Sequence, residues 1–327
     1  MDTSLLHYPG SLLTDDTVVA SWDIEQGARY PHPEPLRSDG IFNLAVAEAA
    51  PVYASHHSVN FINGMGVTLG DSIVGLNVCH YLKHRWQDLH IHILRPARSP
   101  QAVESLYRRA LSAGIVDSLS SMPWPLAHRV RFDINIDMGN QLYRESFQRM
   151  PMHDYFYQQA GIDPSGVPRE WKQNRWLATG PRTEAADYVL FCPQASTPLR
   201  QIPARWHETI VRDLQRRFDL PVKGFAPLTM SGYQNISTAV TSTEAYIDVI
   251  RRAHFVYTAD SAALHIAAGL DVPAHVIFTS IDPALRVRYY PNVTWEWIGD
   301  ERLEGIHASE DADLLAHVET KFAALYG

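Results

Sequence analysis

Cysteine is nearly absent from the 327-residue sequence: Cys79 and Cys192 stand far apart, each inside an expected helix or strand. Two isolated thiols build neither a disulfide framework nor a cysteine zinc site, so a reducing cytoplasm is the expected setting. Long apolar runs are missing as well. No segment approaches the roughly 18 apolar residues that cross a bilayer. The start, Met-Asp-Thr-Ser-Leu-Leu-His-Tyr-Pro-Gly, has neither the basic beginning nor the apolar stretch of a signal peptide. Nor is there a basic block: 28 Lys and Arg face 36 Asp and Glu, a net charge of −8. That balance excludes broad nucleic-acid binding, yet a local phosphate pocket needs only one or two placed cations. Histidine is plentiful, with His80/His84 at helical spacing and His90/His92 on one strand face. No set of acids accompanies these pairs, so neither a metal nor any other cofactor is expected. There is no solenoid repeat and no low-complexity tract.

What is present is a soluble-type composition, 46% hydrophobic and 20% charged, over enough chain for about two domains. Residues 1–55 form an N-terminal extension, irregular and punctuated by Pro9-Gly10, Pro31, Pro33 and Pro35. It reads as a small hairpin or an arm packed on the body or on a second copy. From Ser58 onward short apolar runs alternate with helical patterns, the signature of an open parallel α/β sheet. Strands are expected at Ser58–Asn63, His90–Leu94, Ile115–Leu119 and Arg131–Asp137, with helices at 72–86 and 101–113 and a helical stretch over 143–161 broken near Pro151. A polar Pro-, Gly- and Arg-rich stretch, 164–183, is the candidate linker. A second domain follows, with strands at 188–192, 221–225, 255–258, 275–278 and 293–298 and helices at 203–217, 243–252 and 310–326. The division expected is 1–55, 56–175, 176–310 and a terminal helix, 311–327.

Three constellations carry candidate chemistry. The first is the turn Gly64-Met65-Gly66-Val67-Thr68-Leu69-Gly70-Asp71, between a strand and a helix. Glycine there allows φ > 0 and close approach of a substrate. As a dinucleotide fingerprint it has one residue too many, and the next strand ends in Leu94-Arg95 where an acid would hold a ribose. Arg95 would suit a 2′-phosphate. Alternatively Asp71, at the helix tip, is a general base for a hydroxyl nucleophile; the bland reading makes it a helix cap. The second constellation is Ser196, Thr197 and Arg200, hydroxyls and a guanidinium at a helix start, with Arg205 nearby. Such a set can hold a diphosphate and offset charge on a leaving group. The third is Asp260-Ser261-Ala262 with His265, between two buried strands, with Asp282 after the second. Asp260 is expected as the N-cap, and the helix tip as an anion site; the bland reading leaves a cap and a packed histidine.

Together these stretches resemble the glycosyltransferase family of the lipopolysaccharide heptosyltransferases, glycosyltransferase family 9 of the GT-B superfamily. Gly70-Asp71 looks like that family's N-terminal Gly-Asp motif. Ser196-Thr197-x-x-Arg200 with Pro203-Ala204-Arg205-Trp206 is similar to its hydroxyl-then-Lys stretch. Asp260-Ser261-Ala262-x-x-His265-x-Ala267-Ala268 with Val272-Pro273 resembles its Asp-Ser/Thr-Gly-x-x-His-x-Ala-Ala segment. Phe278-Thr279-Ser280-Ile281-Asp282-Pro283 takes the place of its Phe-Gly-Pro-Thr-Asp-Pro loop. The likeness covers most of 58–300. Arg200 replaces a usual Lys, Ala262 a usual Gly, and Thr279-Ser280-Ile281 a Gly-Pro-Thr.

The resemblance implies a GT-B fold, two Rossmann-like domains with parallel sheets facing a central cleft, the terminal helix crossing back onto the first. It implies an inverting, metal-independent glycosyl transfer from a nucleotide-sugar, ADP-heptose foremost, to a hydroxyl of a saccharide, a lipid-linked glycan or a protein. Asp71 would be the base and Arg200 the cation at the leaving group. Ser196, Thr197, Arg205, Asp260, Ser261, Ala262, His265 and Asp282 would bind the donor, with Gly64, Gly66, Thr68 and Gly70 in the acceptor-side loop. A cytoplasmic protein, peripheral at the inner membrane and self-associating, would fit. Two other readings stay open: an NADP-dependent oxidoreductase using Gly64, Gly66, Gly70 and Arg95, and a non-catalytic binding or assembly protein of the same fold.

Overall fold

The computed structural model describes residues 3–46, 50–178 and 187–327, so part of the expected linker, 179–183, lies outside the described residues. The chain divides into two compact units, Met1–Lys172 and Gln173–Gly327.

In the first unit the strands are β1 (Leu12–Thr14), β2 (Thr17–Val19), β3 (Glu34–Pro35), β4 (Ser58–Ile62), β5 (His90–Arg95), β6 (Ser118–Ser121), β7 (Trp124–Pro125) and β8 (Ile134–Asp137). The helices are α1 (Ser21–Glu25), α2 (Leu69–Arg85), α3 (Gln101–Ser112), α4 (Glu145–Arg149) and α5 (Met152–Gln159). A parallel sheet in the order β6-β5-β4-β8 forms the centre. β4, β5 and β8 are buried almost throughout, while the serine-rich edge strand β6 stays partly exposed. The break between α4 and α5 falls at Pro151, which lacks the N–H that a continuous helix would use.

The N-terminal extension is more ordered than its prolines suggest. Its strands join β7 in a second, antiparallel sheet of order β3-β1-β2-β7. Val18, Ala20 and Leu36 pack with Ile62, Leu94, Met122 and Trp124 of the body in one apolar cluster. Of the two open readings, hairpin or packed arm, the chain shows both: Leu12–Val19 is a hairpin whose turn, at residues 15 and 16, has φ +44° and +60°, and it packs on the body.

The second unit has β9 (Val189–Cys192), β10 (Val222–Gly224), β11 (Tyr233–Asn235), β12 (Phe255–Ala259), β13 (Ala274–Phe278) and β14 (Val293–Trp297) in one parallel sheet, ordered β11-β10-β9-β12-β13-β14. Its helices are α6 (His207–Phe218), α7 (Thr243–Arg252), α8 (Ala262–Gly269), α9 (Ala284–Val287) and α10 (Ala312–Tyr326). α6 begins later than the expected residue 203 because Ala204–Trp206 forms a 3-10 turn first. The terminal helix α10 sends Val318 and Phe322 into this unit's own core, beside Trp206, Ile210 and Leu214. Gly269 closes α8 for a steric reason: a Cβ there would lie 2.5 Å from the backbone oxygen of Asn174.

Candidate active site

Each unit gathers its candidate residues at the carboxyl edge of its parallel sheet, where open α/β folds place their ligands. In the first unit, β4 ends at Ile62 and the chain turns through Asn63 (φ +55°), Gly64, Met65 and Gly66 (φ +86°). Thr68 then caps α2: its Oγ1 accepts the Asp71 N–H at 3.4 Å and donates to Asp71 Oδ2 at 2.9 Å. Gly70 and Asp71 therefore lie in the first helical turn, Asp71 half-buried and Thr68 holding the cap. Gln141 Nε2 donates to the same Asp71 Oδ2 at 2.9 Å.

Arg95 is what keeps the glycine turn in place. Its side chain is 1% exposed and lies 3.9 Å over the Tyr107 ring. It donates to the carbonyls of Gly64 and Gly66 (2.9 Å for the latter) and pairs with Glu104 at 3.1 Å. Tyr107 adds its hydroxyl to the Gly64 carbonyl at 3.1 Å. A guanidinium spent in this way cannot also receive a 2′-phosphate. The oxidoreductase reading of Arg95 therefore gives way to a structural one: the Gly64 and Gly66 carbonyls and Glu104 together offset the desolvation of the buried charge.

In the second unit three loops converge. Asp260, expected as the cap of α8, is not the cap. Ser261 is, its Oγ accepting the Ala263 N–H at 3.3 Å and lying 3.1 Å from the Thr258 hydroxyl. Asp260 precedes it, 2% exposed, and pairs with Arg200 Nη1 at 3.0 Å. Burial pushes this carboxyl up, but Arg200, Arg286 and to a lesser degree His265 outweigh burial and hold it below the usual range. Arg200 also donates to Ser196 Oγ, and Thr197 Oγ1 to the His307 carbonyl at 3.4 Å. Burial, then Arg286 and Arg200, push the His307 ring down to about 4 against the opposing pull of Asp260, so this imidazole is neutral at pH 7.

His265 is a packed histidine. It is 3% exposed, and its Nδ1 lies 2.7 Å from the Tyr290 hydroxyl. That hydroxyl also accepts from the Asn174 amide at 2.7 Å. Thr279 Oγ1 donates to the Leu199 carbonyl at 2.8 Å, joining the loop after β13 to the loop that carries Arg200. Among the described residues, the buried Ser280 Oγ and Arg200 Nε have no hydrogen-bond partner. Buried polar atoms are nearly always paired, so these two atoms could take a further partner.

Ala262 is half-buried at the first position of α8. Two expected donor residues stand apart from the cluster. Arg205 is exposed and lies 5.3 Å over the ring of Trp206. Asp282 is exposed and its Oδ1 accepts the Ala284 N–H at 2.8 Å, two residues on. Reasoning from sequence passed over Arg286, buried at 5%, and His307. A signal existed for Arg286, which sits one turn past Asp282-Pro283; His307, in a loop, offered none. Both cysteines are buried, and burial pushes their thiols up, so neither is a nucleophile.

No protein-family model and no curated protein matches the sequence. Among solved structures, Escherichia coli ADP-heptose lipopolysaccharide heptosyltransferase II superposes with a TM-score of 0.50 at 13% identity, over 82% of this chain and 98% of that one. The fold is that of the heptosyltransferases. The Veillonella parvula glycosyltransferase of family 9 aligns with 74% of this chain and 86% of its own, at 13% identity and a TM-score of 0.45. E. coli heptosyltransferase WaaC with ADP aligns with 83% and 100%, at 14% identity and 0.43. At such identities the likeness is one of fold. Among the described residues no helix is long and apolar enough to cross a membrane.

Proposed function

We propose that the protein is an inverting glycosyltransferase that moves a sugar from a nucleoside-diphosphate donor to an acceptor hydroxyl without a metal. The observation that carries this reading is the cation cluster of the second unit. Arg200 and Arg286 converge on buried Asp260 at a helix start, with Arg200 Nε and Ser280 Oγ lacking partners. The two guanidinium groups, the half-buried helix tip at Ser261 and Ala262 and the donors at Arg200 Nε and Ser280 Oγ suit a diphosphate, which brings negative charge and several acceptor oxygens. The likeness in fold to an ADP-heptose enzyme makes ADP-heptose the donor to try first.

In this reading the acceptor hydroxyl oxygen attacks the anomeric carbon as the bond from that carbon to the β-phosphate oxygen breaks. Asp71 takes the hydroxyl proton, and the nucleoside diphosphate leaves with the bonding pair, stabilised by Arg200, Arg286, Ser196, Thr197 and the Ser261–Ala262 amides. One displacement inverts the anomeric configuration. The reading requires both half-sites to act on one substrate pair. The acceptor would be a saccharide, a lipid-linked glycan or a protein hydroxyl, and the site of action the cytoplasmic side of a membrane or the cytoplasm itself.

The test is transfer from sugar nucleotides with the anomeric configuration of the product read by NMR. Asp71→Asn is expected to lower kcat by about 10²–10⁴-fold while leaving the donor Kd within a factor of about two. A chelator is expected to leave the rate unchanged. Retained turnover in Asp71→Asn, or no binding of any nucleoside diphosphate by calorimetry, overturns the reading.

A further inference from the structure

After β8 the chain passes through Asn140 in the left-handed region (φ +58°) into one 3-10 turn, Gln141–Tyr143. Gln141 is 6% exposed, and its amide is the donor to Asp71 Oδ2 already described. It also fills the space that a side chain at residue 66 would need. A Cβ on Gly66 would come within 2.5 Å of Gln141 Nε2 and 2.9 Å of Asp71 Cβ. Gly66, Asp71 and Gln141 are therefore packed as one piece.

The turn that carries Gln141 is tied in its turn to the N-terminal extension. Asn140 donates its amide to the carbonyls of Leu6 and Tyr8 at 2.8 and 2.6 Å. Asp137, one residue past the apolar part of β8, accepts the Ser11 N–H at 2.7 Å, the Ser11 hydroxyl at 2.8 Å and the Asn43 amide at 3.3 Å. Arg144, 2% exposed, bonds the carbonyls of Asp137 and Gly139 at 2.9 and 3.0 Å.

We propose that Gln141 is the positioning residue of Asp71, and that the N-terminal extension holds Gln141 in register, which makes that extension part of the acceptor half-site. Two donors on one carboxylate oxygen fix the rotamer of Asp71 and favour its charged form. A base whose carboxylate swings loses the alignment on which proton abstraction depends. Among the described residues, the charged and titratable groups near it include Tyr155 of α5, whose buried hydroxyl is held up by burial and by Asp71 and Asp137 against Arg144, together with Arg95 behind the Gly66 carbonyl. All of these stay when Gln141 is replaced. The catalytic meaning rests on the transferase reading; the geometry does not.

The experiment follows the Asp71 carboxyl carbon by NMR titration of the full chain, assigned with Asp71→Asn, alongside steady-state kinetics. Gln141→Met, similar in size and without a donor, is expected to move the Asp71 midpoint upward. It should lower kcat roughly tenfold with donor KM unchanged. Gln141→Glu, which sets a second carboxyl beside Oδ2, should move the midpoint further in the same direction. Asn140→Gly keeps the left-handed backbone and removes only the link to Leu6 and Tyr8; it should give a smaller shift of the same sign. Should Gln141→Met misfold by circular dichroism, Gln141→Glu carries the test. An unmoved midpoint in the folded Gln141 variants overturns the proposal even if transfer depends on Asp71. A moved midpoint in a protein that transfers no sugar upholds the positioning and sinks the transferase reading instead.

Discussion

Arg200, paired with buried Asp260, can hold the fold and, in the proposed reading, face the donor as well. Replacing Arg200 by Ala leaves Asp260, at 2% exposure, facing only Arg286 and His265. Such a loss is expected to cost about 3 kcal/mol in urea unfolding, because a buried carboxylate loses its nearest partner. Arg200→Lys keeps the charge and should recover most of that stability. It is nevertheless expected to weaken ADP binding roughly tenfold by calorimetry, since a single ammonium cannot bridge Asp260, Ser196 and a phosphate as a planar fork does. Equal ADP affinity in Arg200→Lys and the parent would take Arg200 out of the donor site. The depressed Asp260 carboxyl gives a sign for pH: its stabilisation is present above the unfolded carboxylate range and is lost as pH falls through the folded value. At this scale the sequence made Asp71, Arg200 and Asp260 visible, because each follows a strand and opens a helix or turn. It hid Gln141 and Arg286, whose roles come from loops that only the tertiary structure brings together.

Among the elements, the glycine turn is held from behind by Arg95, and that dependence is open to test. Arg95→Met keeps much of the volume but strips the donors from the Gly64 and Gly66 carbonyls and leaves Glu104 without its partner. The expected loss is about 3 kcal/mol by urea unfolding. Wild-type protein should show no NADPH fluorescence change, as the guanidinium is already engaged. The elements themselves were legible where local chemistry and burial agree. Thr243–Arg252 was readable to the residue, because Ser242 caps it by accepting the Ala245 N–H at 3.1 Å and Arg251-Arg252 closes it. β12, α8 and β13 were readable from unbroken apolar runs between caps. β1, β2 and β3 were not, being strands of two or three residues whose pairing with β7 is set by packing on Ile62 and Leu94 rather than by any period in the sequence. β11 was missed for the same reason, a three-residue strand paired only along β10.

Over the whole molecule, the histidines set the expected response to acid. Burial, as the leading cause, pushes His80, His92, His207, His275 and His307 below their ordinary value, His92 and His307 to about 4. Between the unfolded value and these depressed ones the unfolded chain takes up protons that the folded chain refuses. Stability therefore falls as pH drops from about 6.5 toward 4, by at most about 1.4 kcal/mol per pH unit for each fully excluded ring. Urea midpoints between pH 7.5 and 4.5 check this; a flat profile would mean that these rings protonate in the folded state. His92→Gln should flatten part of the slope, since the ring sits between the Ser118 and Ser120 hydroxyls at 2.8 and 2.6 Å.

The pairing of Val18 with Trp124 has a consequence for biosynthesis. The first hairpin emerges from the ribosome about a hundred residues before the strand that completes its sheet. Leu12 and Val19 have local partners in Ile24 and Tyr30, but at the ~5–20 residues per second of translation Val18 waits several seconds or more for Met122 and Trp124. A nascent chain built this way is a natural client for a holding chaperone, and one truncated to begin at residue 56 would expose Met122 and Trp124 for good.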